Sequence, residues 1–350
     1  MDGTAAANVA AQGRRSYPTG ASLCGRGIFL LYLAFCVLAA AREPAKTVHG
    51  TEAPATRTPV VAARPADNRP PRYRLEYKLP AGQTLYYDIV QKAKFTTQKD
   101  GVAETAHNES TTRMNLRVLS VAADGTAEFE SCIDHVKMSF HFGDGKPTTF
   151  DSQRDAIPPR AFAEIPNSIG KPLARFKVEK SGRLVKAVSL KEQKAKDEND
   201  VSDDPARNFL TSFPQAPVAV GDCWTEQFTV KVRITKNLMN KVNLLRKFEL
   251  VSVEDQVATI RVAIDVLTPV NDPQILAQLI QRTPQGTIRL DLGRGLIVSR
   301  VMKTDKLEIG VLGPKSSVRA QSELTETLVS PPAVAVMPSP SDPSQATKSQ

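Results

Sequence analysis

The sequence predicts a mainly β protein, with two duplicated antiparallel meander units forming a curved sheet or half-barrel and short helices at the connections. Three observations predict it. Apolar and polar residues alternate with a period of two over long stretches between Tyr73 and Ser330, as in strands with one buried face. Glycine turns such as AADGT, EKSGR and LGRG separate these stretches. The chain also repeats itself. A β-sandwich of two separable domains is the alternative architecture.

The repeat consists of three blocks that occur twice in the same order. LPAGQTLYYDIVQKAKF aligns with VAVGDCWTEQFTVKVRI, and LRVLSVAADGTAEF aligns with FELVSVEDQVATI when one turn has an extra residue. FKVEKSGRLVKAV aligns with IRLDLGRGLIVSRV, again with one gap. The shared order and glycines favour a duplication, with a first β repeat over 73–190 and a second over 218–330. The paired blocks begin at Leu79 and Val218, at Leu116 and Phe248, and at Phe176 and Ile288.

Each alternating run has one apolar face and one polar face. We therefore expect antiparallel strands, half-buried against a core that both repeats share. In the second repeat, the first two core-facing sets are Trp224, Glu226, Phe228, Val230, Val232 and Ile234, then Ala258, Ile260, Val262, Ile264 and Val266.

Helix signals fall between the strands. In NDPQILAQLIQRTP, Asp272 is placed to cap a helix, Pro273 suits its first position, and a later proline ends it. SQRDAIPPRAFAEIPNSIG occupies the corresponding place in the first repeat, where its prolines predict turns instead. Residues 191–217 predict a charged crossover between the repeats, with a short docking helix over 205–213.

The N-terminus predicts a secretory signal peptide over residues 1–41. Three arginines precede the apolar run IFLLYLAFCVLAAA, and small residues suit cleavage near Ala41. The run is shorter than the ~20 residues that span a bilayer, so the mature protein is expected to have no transmembrane span. Lipidation at Cys36 stays open, although Phe35 stands where such signals have a small residue. The predicted localisation is the periplasm or the extracellular space.

Composition predicts disorder at both ends of the mature chain. Residues 42–72 form a Pro/Ala-rich spacer, and residues 331–350 form a tail of the same kind. The first 72 residues carry five units of the formal net charge of +9. The remaining positive charge is spread along the chain and forms no basic stripe, which argues against a nucleic-acid partner.

No catalytic, cofactor or metal motif stands out. The chain has no GxSxG, P-loop, GxGxxG or CxxC sequence. His135 and His141 are expected on one face of a strand, about 20 Å apart, so they cannot share a metal ion. Either could pair with a ligand from another strand, such as Asp144. Ser152, in FDSQRD, is interpreted as a turn-forming serine.

Paired carboxylates are the remaining candidates for chemistry. The repeat aligns Asp134 with Asp265, and Glu179 with Asp291. Equivalent positions can converge near a pseudo-twofold axis, where two carboxylates could act as acid and base. The favoured interpretation is that all four are solvated carboxylates at strand ends and hairpins, so no catalytic residue is assigned.

Two cysteines, Cys132 and Cys223, remain after cleavage of the signal. Strand alternation places both on outward, wetter faces, since each is out of phase with its core-facing neighbours. An oxidising compartment favours a disulfide, but the repeat gives neither cysteine a partner at the equivalent position of the other copy. We therefore expect two free thiols.

Several of these stretches together resemble a family of uncharacterised exported bacterial proteins with a domain of unknown function. The stretches are the signal peptide, LPAGQTLYY, SVAADGTAEF, FDSQ, KSGRLVKA and PVAVGDCW, which extend over most of residues 73–330. The resemblance implies a β-rich envelope protein outside the cytoplasm. It implies no catalytic residues.

The leading functional hypothesis is a secreted, non-enzymatic module without a cofactor. It would bind an apolar small molecule, a lipid or an envelope partner in the concavity of a curved sheet. The alternative is an envelope hydrolase that uses Asp134 and Asp265. The aromatic residues that are candidates for lining the concavity are Tyr73, Tyr77, Tyr87, Phe95, Phe140 and Trp224.

Overall fold

A computed structural model describes residues 70–190, 210–233 and 239–331 of the chain. These residues all belong to one compact unit, Leu38–Gln350. The predicted signal peptide lies outside the described residues, as do nearly all of the predicted spacer and tail and most of the crossover.

The described residues are 61% strand and 7% helix, which confirms the prediction of a mainly β protein. They form one open antiparallel sheet of twelve strands. The strands of the first half are β1 Thr84–Lys99, β2 Val102–Val121, β3 Ala127–Phe142, β4 Thr148–Asp151, β5 Pro172–Val178 and β6 Leu184–Ser189. The strands of the second half are β7 Cys223–Arg233, β8 Met239–Glu254, β9 Val257–Val266, β10 Gln285–Asp291, β11 Leu296–Ile309 and β12 Ser316–Val329.

The sheet contains two meanders with the same order of neighbours. Its strand order is β6-β5-β3-β2-β1-β12-β11-β10-β9-β8-β7, with β4 paired to β3 at the side. We call β1, β2, β3, β5 and β6 the first meander, and β7 to β11 the second meander. Strand β12 lies between them and pairs with β1 and β11. Each meander therefore runs in the same direction across the sheet.

Strand register in the two meanders agrees with the sequence alignment over the rows that face the shared core. Leu85 lies opposite Leu116 in the first meander, as Trp224 lies opposite Phe248 in the second. A row of directly opposite residues crosses β2, β3 and β5, and an equivalent row crosses β8, β9 and β10. The first row is Val118, Phe129 and Phe176, and it aligns in sequence with the second, Leu250, Ile260 and Ile288.

Two irregularities of the ladders fall at matching places, whereas the shifts at Arg113/Met114 and Ser131/Cys132 occur in the first meander alone. The register between β2 and β3 shifts between Val118 and Ser120, and that between β8 and β9 shifts between Leu250 and Ser252. A second pair of shifts lies in β5 and in β10, beside Val178 and Leu290. A β-bulge re-aims the side chains that follow it, so matching bulges keep equivalent residues on equivalent faces.

The predicted helix is present with its cap. Helix α1, Pro273–Leu279, begins after Asp272, whose side chain accepts a hydrogen bond from the backbone N–H of Gln274 at 2.8 Å. A 3-10 turn, Ile280–Arg282, continues it. The corresponding connection of the first meander holds two 3-10 turns, Arg160–Phe162 and Pro166–Ser168, as its prolines predict.

The predicted docking helix over 205–213 is described only at its end. Residues 210–213 are not helical. Leu210, Thr211 and Phe213 are nevertheless buried. The helix itself remains a prediction for residues outside the described ranges.

One hydrophobic core takes side chains from both meanders. The rows through Phe129 and through Ile260 belong to the same cluster, together with Leu75 and Tyr77 from the segment before β1. A flat sheet could not bring β3 and β9 into one cluster, because five strands lie between them. The predicted curved sheet around a shared core is therefore confirmed, and the alternative of two separable domains does not describe this structure.

The two extended segments beside the core, residues 73–78 and 210–218, hold the meanders together. The backbone N–H of Tyr77 donates to the carbonyl of Lys180 in the β5–β6 turn, and that of Lys78 donates to Gly295 in the β10–β11 turn. Tyr73 and Val218 exchange backbone hydrogen bonds. The same short segment thus contacts equivalent hairpin turns of both meanders.

The two cysteines are free thiols. Cys223 is exposed, as predicted. The prediction that Cys132 lies on a wetter face was wrong, since this residue is 3% exposed. Cys132 lies opposite Asn115 and Pro172, and with buried Asn115 and Glu130 it belongs to a covered polar patch on adjacent strands. Burial raises the pKa of the Cys132 thiol.

Candidate functional site

A small cavity lies between the core and the strands at the centre of the sheet. Its volume is about 30 Å³. Side chains from β1, β2, β3, β11 and β12 line it, together with residues of both extended segments. The lining residues are Tyr77, Leu79, Tyr87, Ile89, Met114, Leu116, Phe129, Leu210, Leu296, Ile297 and Glu326.

At four of the five first-meander positions that line this cavity, the second meander has a larger or charged side chain; Phe129, which aligns with Ile260, is the exception. In the sequence alignment, Ile89 and Leu116 correspond to Phe228 and Phe248, and Tyr87 and Met114 to Glu226 and Arg246. Tyr87 lies opposite Met114 across β1 and β2, as Glu226 lies opposite Arg246 across β7 and β8. The cavity is therefore placed where the two meanders differ in side-chain size.

Direct contacts fill the corresponding region of the second meander. The ring of Trp224 stacks on Phe248 with centroids 5.3 Å apart. Arg246 lies over the ring of Phe228, 5.1 Å from its centroid, and binds Glu226 at 3.0 Å. A guanidinium that stacks on an aromatic ring and binds a carboxylate closes the space that a smaller side chain would leave.

The charged residue of the lining, Glu326, belongs to a buried ion pair. Glu326 on β12 lies opposite Arg300 on β11, with an Nη1 to Oε2 distance of 3.3 Å. The side chains are 8% and 4% exposed. Arg300 also donates to the hydroxyl of Thr211 at 3.3 Å. Burial raises the pKa of Glu326, and the neighbouring Arg300 acts in the opposite direction.

Two tyrosine hydroxyls complete the polar groups of the lining. Tyr87 donates to the backbone carbonyl of Ile297 at 3.3 Å, and Tyr77 accepts from the backbone N–H of Thr211 at 3.0 Å. Burial raises the pKa of Tyr77 to about 12 and also raises the pKa of Tyr87. Both hydroxyls therefore stay neutral at physiological pH. The site combines an apolar surface with a small number of fixed polar groups, as ligand sites do.

Two of the six aromatic residues predicted to line a concavity do line the cavity, namely Tyr77 and Tyr87. Trp224 packs against the shared core instead, and its indole N–H donates to the carbonyl of Ser212 at 2.9 Å. Tyr73 also packs against the core, and Phe95 is buried elsewhere in the sheet. Phe140 is half-buried and does not belong to the lining.

The structure does not bring Asp134 and Asp265 together. Asp134 on β3 accepts a hydrogen bond from Asn115 at 2.5 Å. Asp265 on β9 is half exposed and binds Lys247 at 2.5 Å. Both lie on the polar faces of their strands, with five strands between β3 and β9. No observation in the described residues favours an acid–base pair of these two carboxylates.

Glu179 and Asp291 are hairpin carboxylates, as interpreted from the sequence. Glu179 binds Arg183 within the β5–β6 turn. Asp291 accepts from the backbone N–H of Arg294 at 2.8 Å within the β10–β11 turn. Each carboxylate stabilises its own turn.

Ser152 has the predicted role in a turn. Its hydroxyl accepts from the backbone N–H of Val136 at 3.0 Å, and its own N–H donates to the Val136 carbonyl at 2.9 Å. His135 binds the carboxylate of Asp151 at 2.9 Å. This hydrogen bond is the main reason that the pKa of Asp151 lies below its usual value.

Sequence reasoning missed the Arg300–Glu326 pair and the role of Met114. The alignment contained one indication of the ion pair, because the charged Arg300 stands where the first repeat has the small apolar Ala187. In the described part of the chain, no group of three or more His, Cys, Asp or Glu side chains could hold a metal ion. None of the helices there is long and apolar enough to cross a membrane.

No family model and no curated protein matches the chain. It is similar to a solved structure described as "Lipid-protein interactions in lipovitellin", with 10% sequence identity and a TM-score of 0.39. The match covers 72% of this chain and 25% of the other, so this chain spans about a quarter of that chain's length. A likeness this weak does not establish a shared fold.

Proposed function

We propose that this protein is a non-enzymatic module that binds an apolar small molecule with a polar end. The observation that carries the proposal is the cavity between Ile89, Met114 and Leu116, at positions that larger side chains fill in the second meander. The buried Glu326, which Arg300 binds, would contact the polar end of the ligand, and the apolar lining would contact its body.

The mouth of the cavity would have to open for a ligand to enter. A volume of about 30 Å³ holds little more than one small group. Ile89, Met114, Leu116 and Leu79 are the half-buried members of the lining. The unbranched side chain of Met114 has three rotatable bonds and can move aside with little strain. Binding would therefore displace these side chains from the position seen here.

The proposed setting is the envelope, after export. Within residues 1–41, basic residues precede an apolar run, and this order supports export. The resemblance to exported bacterial proteins supports the same setting. The matching registers and bulges of the two meanders support an internal duplication. In this proposal, the first copy kept smaller side chains and the second copy filled the corresponding space.

Binding of a fluorescent polyene fatty acid to the full chain tests the proposal. The variant Ile89→Phe places in the first meander the side chain that the second has at the equivalent position. We expect it to weaken probe binding by about tenfold or more, since one excluded methylene group is worth about 1–3 kcal/mol. Val90→Phe is the matched control, because Val90 lies opposite exposed Thr111 on the other face of the sheet.

Equal binding by the two variants, or no binding by the wild-type chain, would contradict the proposal. Thermal unfolding of both variants without the probe distinguishes loss of the site from loss of the fold. Mass spectrometry of small molecules that copurify with the protein from its own host would identify the ligand class.

A further inference from the structure

Two histidines lie face to face on the outer surface of the sheet. His107 on β2 pairs directly with His141 on β3. Their rings are parallel within 9°, and their centroids are 4.3 Å apart. Ser110 and Thr112 of β2 face the core and are buried. His107 therefore lies on the opposite face, because alternate residues of a strand point to opposite faces.

The imidazoles are accessible and have no competing hydrogen bonds within the described residues. Both side chains are half-buried. By contrast, His135, on the same face of β3, binds the carboxylate of Asp151 at 2.9 Å. The ring nitrogens of the stacked pair are thus left to solvent, whereas one nitrogen of His135 is already in use.

The close approach also favours neutral rings. Two unit charges about 4 Å apart repel by roughly 1 kcal/mol in water and more near a protein surface. A neutral imidazole is the form that binds a metal ion.

We propose that His107 and His141 form a surface site for one divalent transition-metal ion of the Zn²⁺ or Cu²⁺ class. A tetrahedral ion bound at 2.0–2.1 Å needs its two nitrogens about 3.4 Å apart. In the stack, the in-plane lone pairs of the two parallel rings run side by side, so the rings would have to rotate out of the stack until one nitrogen of each points at the ion. Directly opposite positions on neighbouring strands, with Cβ atoms ~5 Å apart, allow this rotation. Imidazole ligands suit these ions.

Water would fill the remaining coordination positions of the ion. One carboxylate, that of Glu109, lies on the same face of the sheet. Glu109 follows His107 by two residues and therefore points to the same side of β2. Lys94 lies opposite His107 on β1 and adds a positive charge nearby. Two ligands without a third fixed one give a weaker, open site rather than a structural centre.

Calorimetric titration of Zn²⁺ into the full chain, prepared without an affinity tag, tests the site. We expect one ion per chain. His107→Ala and His141→Ala should each weaken binding by tenfold or more, since even indirect partners of a metal ligand are worth about 10–100-fold in affinity. His135→Ala is the matched control, because it removes an imidazole from the same face of β3, and it should bind as the wild type does.

A wild-type chain that binds no Zn²⁺ would overturn the proposal, as would His107→Ala binding as tightly as the wild type. An equal loss of affinity in His135→Ala would also overturn it. Thermal unfolding without metal checks that the variants are folded. Electron paramagnetic resonance of the Cu²⁺ complex gives a second measurement, because it counts the bound imidazole nitrogens. Two are expected, and one or none would contradict the assignment.

Discussion

Arg300 and Glu326 are two ionisable side chains whose burial in the folded protein costs free energy. They lie opposite each other on neighbouring strands and are both less than a tenth exposed. Burying two charges costs several kcal/mol per ion, which mutual attraction offsets only when hydrogen bonds are also satisfied. Thr211 supplies one of these hydrogen bonds, and it comes from a segment 89 residues away in sequence. The pair therefore depends on correct docking of that segment.

The raised pKa of Glu326 gives a prediction about pH. The folded state holds this proton more tightly than the unfolded chain, so the stability contributed by Glu326 is fully present below its ordinary pKa of 4.5. It is lost as pH rises through the raised value. We expect the free energy of unfolding of the wild type, minus that of Glu326→Gln, to fall as pH rises above 4.5.

Urea unfolding across this pH range measures the difference. Glu323→Gln is the control, because Glu323 lies on the same strand but is half exposed and pairs with Lys303 at 3.5 Å. An exposed carboxylate keeps its water in the folded state, so the control should show a smaller trend. A difference for Glu326→Gln that rises with pH would contradict the assigned cause.

At the level of elements, the turns of the sheet differ in what they contact, although many contain a glycine with a positive φ. Gly101 in the β1–β2 turn has φ +84° and open space around its Cα. Gly182 in the β5–β6 turn has φ +81°, but a Cβ there would lie 2.0 Å from the carbonyl oxygen of Thr211. The first turn only reverses the chain, whereas the second also receives the segment that carries Thr211 and Phe213.

Alanine at these two glycines should therefore have unequal effects. Gly101→Ala should lower the free energy of unfolding by about 1 kcal/mol, the cost of a left-handed conformation for a residue with a Cβ. Gly182→Ala should cost about 3 kcal/mol or more, since the backbone of residues 210–213 must move as well. Chemical denaturation measures both values. Equal losses would show that the contact with Thr211 contributes little.

For the whole molecule, the shared core determines how the protein unfolds. The rows through Phe129 and Ile260 come from different meanders and pack in one cluster. Each meander alone would leave its part of this core in water, although Ile275 and Leu279 of α1 cover another part of the second meander. We therefore expect one cooperative transition rather than two.

The single tryptophan of the chain makes this prediction testable. Trp224 lies in β7, at the end of the sheet away from the first meander. Phe129→Ala, in the first meander, should cost about 3–5 kcal/mol and shift the transition seen by tryptophan fluorescence by the same amount as the one seen by circular dichroism. A fluorescence transition that does not move would show that the second meander unfolds independently.

What the sequence determined by itself is local or periodic. The alternation of apolar and polar residues predicted the strands, because a half-buried strand needs one apolar face. Asp272 and Pro273 predicted the start of α1, because a helix needs an acceptor for its first N–H groups and tolerates proline there. The aligned glycines and blocks predicted the two meanders, since like sequences adopt like registers. The first two signals lie within a few residues of the feature they describe, and the third compares distant stretches of the same chain with each other.

The tertiary structure alone decided which distant residues meet. His107 and His141 are 34 positions apart, and their stacking follows from one register of β2 and β3. That register includes an extra residue at Asp134, which turns both Ile133 and Val136 toward the core, a change that strict alternation does not predict. The cavity and the Arg300–Glu326 pair likewise depend on how β1, β11 and β12 pack against the docked segments. Packing of side chains from different strands has no signature in any single stretch of the chain, because it depends on the curvature and register of the whole sheet.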